Sequence, residues 1–154
     1  MNESTRNEAQ PAQLGWRLLA LVYDSLPMIA LWFAASVLVL LLRGGVPVVP
    51  WSLAWWLQTL GLWGLTGLYA VESWHRGGQT LGMRPWRLMV VDEHGQHASR
   101  RALWLRYAWA TLSWLPAGLG YLLSLFDGER RALHDRLSAT RLVRLAVTRN
   151  RLPG

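Results

Sequence analysis

GWRLLALVYDSLPMIALWFAASVLVLLLR, residues 15–43, is almost wholly apolar, yet it carries Arg17 and Asp24 in its first half. Lipid penalises both side chains, so the reading of this stretch decides the kind of fold the chain adopts. From residue 14 to residue 42 the run is much longer than the roughly 7–15 apolar residues of a signal peptide. The Ala-Ala-Ser inside it leads into further apolar residues and not into a mature domain. It reads as a retained membrane helix. At about 1.5 Å per residue such a helix is about 43 Å long, against a hydrocarbon core of about 30 Å. Its first turns are therefore expected in or along the headgroup zone, and Pro27 is a site for a kink.

The rest of the composition agrees with a membrane chain. The 154 residues suffice for one domain; 52% are hydrophobic, 11 are Trp and 16% are charged, against roughly 25% charged in an average soluble domain. All 16 basic residues are Arg, and the formal net charge is +7. The arginines cluster beside apolar runs, so the partner they imply is a lipid bilayer with anionic headgroups, not nucleic acid. The chain has no cysteine, which excludes a disulfide framework, a thiolate nucleophile and a Cys-based metal site.

Outward from the first helix, residues 1–13 are polar and read as a disordered tail. Residues 43–50 have turn chemistry. Residues 51–71 have the length of a second spanning helix, and Gly61, Gly64 and Gly67 form a small-residue stripe on which another helix could approach closely. Residues 72–86 are polar and rich in turn signals. Residues 87–92 (RLMVVD) are short and β-branched and are followed by a turn, the pattern of a strand. Residues 99–126 form a third apolar stretch that opens with Arg100, Arg101 and Arg106 and breaks at Pro-Ala-Gly-Leu-Gly, 116–120. Residues 127–139 read as a short polar helix, residues 140–147 alternate as a strand does, and residues 146–154 form a basic tail.

Arginine placement orients the chain. The loop after the first helix holds only Arg43, whereas Arg76, Arg84, Arg87, Arg100 and Arg101 follow the second and seven more lie from Arg130 onward. Both termini are expected to be cytoplasmic, in a bacterial-type inner membrane. The third stretch then has basic ends on one side. Either it is broken and re-entrant, or it spans and violates the rule at the tail. Non-helical backbone at membrane depth needs protein cover, which the first two helices could supply.

Arg17 and Asp24 are two helical turns apart and share a face, about 10 Å apart along the axis. Helical side chains lean toward the N-terminus, so Arg17 is expected to snorkel to the headgroups and is a poor partner for Asp24. A buried Asp must be protonated, paired or bound to a cation. Arg106 is the leading candidate partner, His134 the second, and Arg17 could face Asp135 instead. The His94-x-x-His97 pair lies in a turn without a third ligand, so no metal site is expected. His134 beside Asp135 lacks a nucleophile, and Gly-Gly-Gln-Thr (77–80) lacks the spacing and lysine of a phosphate loop. No catalytic residues and no cofactor are expected, and nothing indicates an enzyme.

Four segments carry a resemblance: WRLLALVYD (16–24), GGQTLGMRPWRLMVVDEHGQ (77–96), RRALWLRY (100–107) and LFDGERRALHDRLSATRLVR (125–144). They resemble the RDD family of small membrane proteins, named for one arginine and two aspartates, over nearly everything between the tails, residues 14–145. The resemblance implies Arg17 as the arginine, Asp24 as the first aspartate and Asp135 as the second, with Asp92 as the alternative. Pro85 departs from the basic-apolar segment expected after Gly-Gln-Thr-Leu-Gly and leaves the start of that strand open. The family is discussed in terms of transport. The expected fold is an all-α membrane protein: two transmembrane helices and a third broken, re-entrant or spanning element, under a small cytoplasmic cap of a β-hairpin and a short helix. Two functions fit. The chain moves a small ion or solute, coupled to protons at Asp24, and as a homo-oligomer because so few helices make a thin pathway. Alternatively, it is a non-catalytic membrane adaptor or assembly factor whose basic cytoplasmic face binds lipid or a protein.

Overall fold

The computed structural model of the chain describes residues 10–114, 135 and 137–145. Its elements run β1 (Gln10–Pro11), α1 (Leu14–Leu42), α2 (Leu53–Gly77), β2 (Leu88–Asp92), α3 (Arg100–Trp114) and β3 (Thr140–Arg144). α1 and α2 form an antiparallel hairpin, and α3 packs along α2. The strands make one sheet in the order β1-β3-β2. Both pairings are antiparallel: Leu88 lies opposite Arg144, Asp92 opposite Thr140, and Pro11 opposite Val143.

Local chemistry sets the ends of these elements. α2 starts at Ser52, whose hydroxyl accepts from the Trp55 amide at 3.2 Å, an N-cap. It stops at Gly78, which takes φ +68° and donates its amide to the Trp74 carbonyl at 2.8 Å. That left-handed conformation is the usual helix terminator and suits glycine. His75 and Arg76 lie in the last turn, where cations complement the helix dipole. Gly78 then runs beside β2: its carbonyl accepts the Val90 amide at 2.8 Å, and Gln79 donates to the Leu88 carbonyl at 2.8 Å.

Burial is concentrated at one end of the hairpin. In α1 the buried residues are Arg17, Ala20 and Asp24, at helical spacing and all in the N-terminal half. In α2 they are Thr66, Gly67, Ala70 and Val71, toward the C-terminus. These helix ends meet Leu88, Val90 and Leu142 of the sheet and Leu103 and Tyr107 of α3 in a single core. The far half of the hairpin, with Leu26, Phe33, Leu42, Leu53 and Leu60, leaves its large apolar side chains exposed. Two polar links join the helices there: Trp32 Nε1 donates to Thr66 at 2.8 Å, and Gln58 donates to Ser36 at 3.2 Å.

Two expectations need correction, the extent of the tail and the use of the glycine stripe. Gln10 and Pro11 pair with β3, Ala12 is 1% exposed, and the Ala12 amide donates to the Leu142 carbonyl at 3.0 Å. The disordered tail therefore does not extend to residue 13. Among the described residues, α1 is the one helix both long and apolar enough to cross a membrane. α2 has 25 residues, but Gln58, Thr59, Thr66 and Glu72 dilute its apolar character. Among the described residues, only the Gly67 part of the glycine stripe meets another helix. A Cβ there would lie 2.6 Å from the Trp104 ring and 2.8 Å from Tyr107, whereas at Gly61 and Gly64 it would meet nothing within 4 Å. The break at 116–120, the choice between a re-entrant and a spanning third element, and most of the short polar helix lie outside the described residues.

Candidate functional site

Arg17, two turns before Asp24 on α1, projects into the space between the helix ends and the sheet. It is 4% exposed, so it does not snorkel. Its Nη1 donates to Asp135 Oδ2 at 2.5 Å and its Nε to the Ala12 carbonyl at 3.2 Å. The other Asp135 oxygen takes a charged hydrogen bond from Arg106 Nη1 of α3. Arg106 also donates to Thr140 Oγ1 at 2.8 Å at the start of β3, and its guanidinium lies 5.4 Å from the Trp74 ring centre. Thr140 is in turn hydrogen-bonded to Ser138 at 2.7 Å. One carboxylate with no solvent exposure thus ties α1 to α3, and Arg106 carries the link on to β3. Two guanidinia on a single buried carboxylate satisfy the requirement that buried charges be paired.

Asp24, 5% exposed, is held differently. Thr80 Oγ1 donates to Oδ2 at 2.5 Å, while the Tyr69 hydroxyl and the Gly82 amide donate to Oδ1 at 3.0 and 2.9 Å. All three donors are neutral, and among the described residues no cation pairs with Asp24. The expected Arg106–Asp24 pair is therefore not formed, because Arg106 is engaged by Asp135. The second candidate, His134, lies outside the described residues.

The loop of residues 78–87 makes this arrangement possible. Tyr69 also accepts the Leu81 amide at 3.2 Å, which fixes the loop against α2. Gly82 approaches α1 so closely that a Cβ would sit 2.5 Å from the Asp24 amide nitrogen and 2.7 Å from its carboxyl carbon, and closer still to the Ala20 carbonyl oxygen. Only glycine fits without moving the loop off the helix. Trp86, four residues on, stacks near Trp16 and Tyr23 at centroid distances of 5.3 and 5.6 Å. Polar and aromatic contacts alternate, so the loop grips the first half of α1 along two adjacent faces.

Of the residues singled out from sequence, Arg17, Arg106 and Asp135 converge on one node, and Asp24 forms a second on the same helix as Arg17. Asp92, the alternative second aspartate, caps the β2 turn by accepting the His94 and Gln96 amides at 2.9 and 2.7 Å. His94 and His97 are exposed, and among the described residues no three His, Asp or Glu side chains cluster together. Tyr69, Thr80, Gly82 and Thr140 were missed. Thr80 and Gly82 fall within the Gly-Gln-Thr-Leu-Gly segment, a signal that the loop mattered. Its role as the cradle of Asp24 depends on a contact spanning 56 residues.

Compared with known families, residues 11–139 match the family model described as the RDD family. No curated protein and no solved structure matches the chain.

Proposed function

We propose, since this chain belongs to the RDD family, that it is a multi-pass inner-membrane protein exchanging a proton or a small hard cation at Asp24. The observation that carries this reading is a buried carboxylate that, among the described residues, is held by neutral hydrogen-bond donors. Asp135 has two guanidinia to balance its charge; Asp24 has hydroxyls and an amide. A carboxylate in that setting is the group whose charge a proton or a cation can neutralise in turn. The Asp24 carboxylate and the hydroxyl oxygens of Tyr69 and Thr80 are ligands of the kind that hard cations take.

The membrane placement rests on α1. Beyond Asp24, residues 25–42 are about 27 Å of helix, close to the roughly 30 Å hydrocarbon core. The residues before it, with Arg17, lie at headgroup depth under the sheet. α2 returns antiparallel, and the arginine distribution assigns the sheet end to the cytoplasm. Two helices and α3 make a thin pathway, so the working unit is a homo-oligomer.

The test is cation-driven proton flux in vesicles reconstituted with the purified chain. Wild-type protein gives flux under a sodium or potassium gradient, and Asp24→Asn abolishes it while keeping the oligomeric state. Wild-type flux from Asp24→Asn would make Asp24 a structural clamp. Absence of flux from the wild type would favour the alternative, a non-catalytic adaptor or assembly factor acting through its basic face.

A further inference from the structure

Four of the described arginines near the sheet end have acids of their own. Arg17 and Arg106 share Asp135, and Arg76 and Arg100 share Glu72. Arg84, Arg87 and Arg144 differ: among the described residues none of them pairs with a carboxylate. Backbone hydrogen bonds bring these three positions close together. The Arg87 amide donates to the Arg84 carbonyl at 3.1 Å, and the Leu145 amide donates to the Arg87 carbonyl at 2.9 Å, which brings Arg144 alongside. Arg84 and Arg87 are exposed. Arg87 takes φ +55°, a left-handed conformation that is uncommon for a residue with a long side chain and costs free energy.

The same corner carries aromatic rings. The Arg144 guanidinium lies 4.1 Å from the centre of the Trp16 ring, and Trp16 stacks on Trp86 at 5.3 Å. Trp and Arg side by side at the end of a membrane helix are what the headgroup layer selects: amphipathic rings at the interface and cations beside lipid phosphates. An acidic protein segment would match the charge but gives no reason for indole rings at this depth.

We infer that the corner formed by Arg84, Arg87 and Arg144 against Trp16 and Trp86 binds the phosphate of an anionic phospholipid. Guanidinium forks donate paired hydrogen bonds to phosphate oxygens, and the Trp16 ring braces the Arg144 guanidinium. The inference rests on the membrane placement proposed above and on no part of the transport reading.

The test uses the full chain in a neutral detergent, titrated with dioctanoyl phosphatidylglycerol, dioctanoyl phosphatidylcholine or inorganic phosphate while its thermal unfolding midpoint is followed. Phosphatidylglycerol raises the midpoint saturably; phosphatidylcholine and inorganic phosphate do not. The triple variant Arg84→Gln, Arg87→Gln, Arg144→Gln needs at least tenfold more phosphatidylglycerol. The single variant Arg84→Gln, at an exposed position, shifts the titration in the same direction and covers the case of a triple variant that fails to fold. Arg43→Gln, at the opposite end of the hairpin, titrates as wild type. Equal titration of wild type and Arg84→Gln, an equal response to phosphatidylcholine or inorganic phosphate, or displacement of the lipid by polyglutamate would overturn the inference. Failure of the membrane placement is read separately, by release of the native protein from membranes in alkaline carbonate.

Discussion

Asp135 and Asp24 lie near the two ends of one short helical face, yet they answer the cost of burial in opposite ways. Asp135 takes cations from α1 and α3; Asp24 takes neutral donors from α2 and the following loop. A buried ion pair adds little by existing, but breaking one leaves its partner uncompensated. Asp135→Asn strands two buried guanidinia and should lower stability by about 3–5 kcal/mol. Arg106→Gln in that background should cost much less than it does alone, whereas Asp24→Asn and Arg106→Gln should combine additively. Unfolding of the four variants of each cycle in detergent measures both couplings; a coupling below about 0.5 kcal/mol between Asp135 and Arg106 would remove the node from the fold's energetics. The sequence makes half of this legible. Two turns of helix separate Arg17 from Asp24, which argues against a direct pair, but the expected place of Arg17 is the headgroups, with Asp135 as an alternative. The partner of Asp24 could not be read the same way, because a carboxylate satisfied by neutral donors leaves no charge pattern to search for.

At the scale of elements, α2 mixes apolar residues with Gln58, Thr59, Thr66 and Glu72, and only part of it packs against the other described elements. Gly67 lets the Trp104 and Tyr107 rings of α3 reach its backbone, and Tyr107 then donates to the Trp63 carbonyl at 2.7 Å. A methyl group at Gly67 would force those rings away. Gly67→Ala is expected to destabilise by about 1–3 kcal/mol, the usual cost of overpacking. Gly64→Ala meets open space and gains helix propensity, about 1 kcal/mol in the stabilising direction. Thermal unfolding of the two variants side by side separates them; equal destabilisation would mean that Gly64 is covered from outside the described residues. The spacing of the glycines showed that a close approach was possible but not which one is used, since that depends on where the large rings of α3 fall. Strand character was legible for β2 and β3 because their β-branched and alternating residues are local signals. β1 was not. It is two residues long, includes Pro11, and exists because β3 offers it an edge.

At the scale of the whole molecule, most of what binds the described elements together lies at one end of the helical hairpin. β1 precedes α1, β2 follows α2, and β3 follows α3, yet the three strands share one sheet. The start of α1, the end of α2, the start of α3 and β3 must therefore occupy the same side of any membrane that the hairpin crosses. The orientation proposed above puts that side in the cytoplasm and the loop after α1 on the other face. The chain has no cysteine, so single cysteines report position without a background. Gln13, His94 and Val46 are exposed, the first two beside the sheet and the last in the loop between α1 and α2. Gln13→Cys and His94→Cys should react with a membrane-impermeant maleimide only in inside-out vesicles, and Val46→Cys only in right-side-out vesicles. Labelling of Gln13→Cys and His94→Cys from opposite sides would be incompatible with a shared sheet. Labelling of all three from the same side would mean that α1 and α2 lie along the bilayer. The hairpin would then be interfacial, and Asp24 would have no path across the membrane to serve.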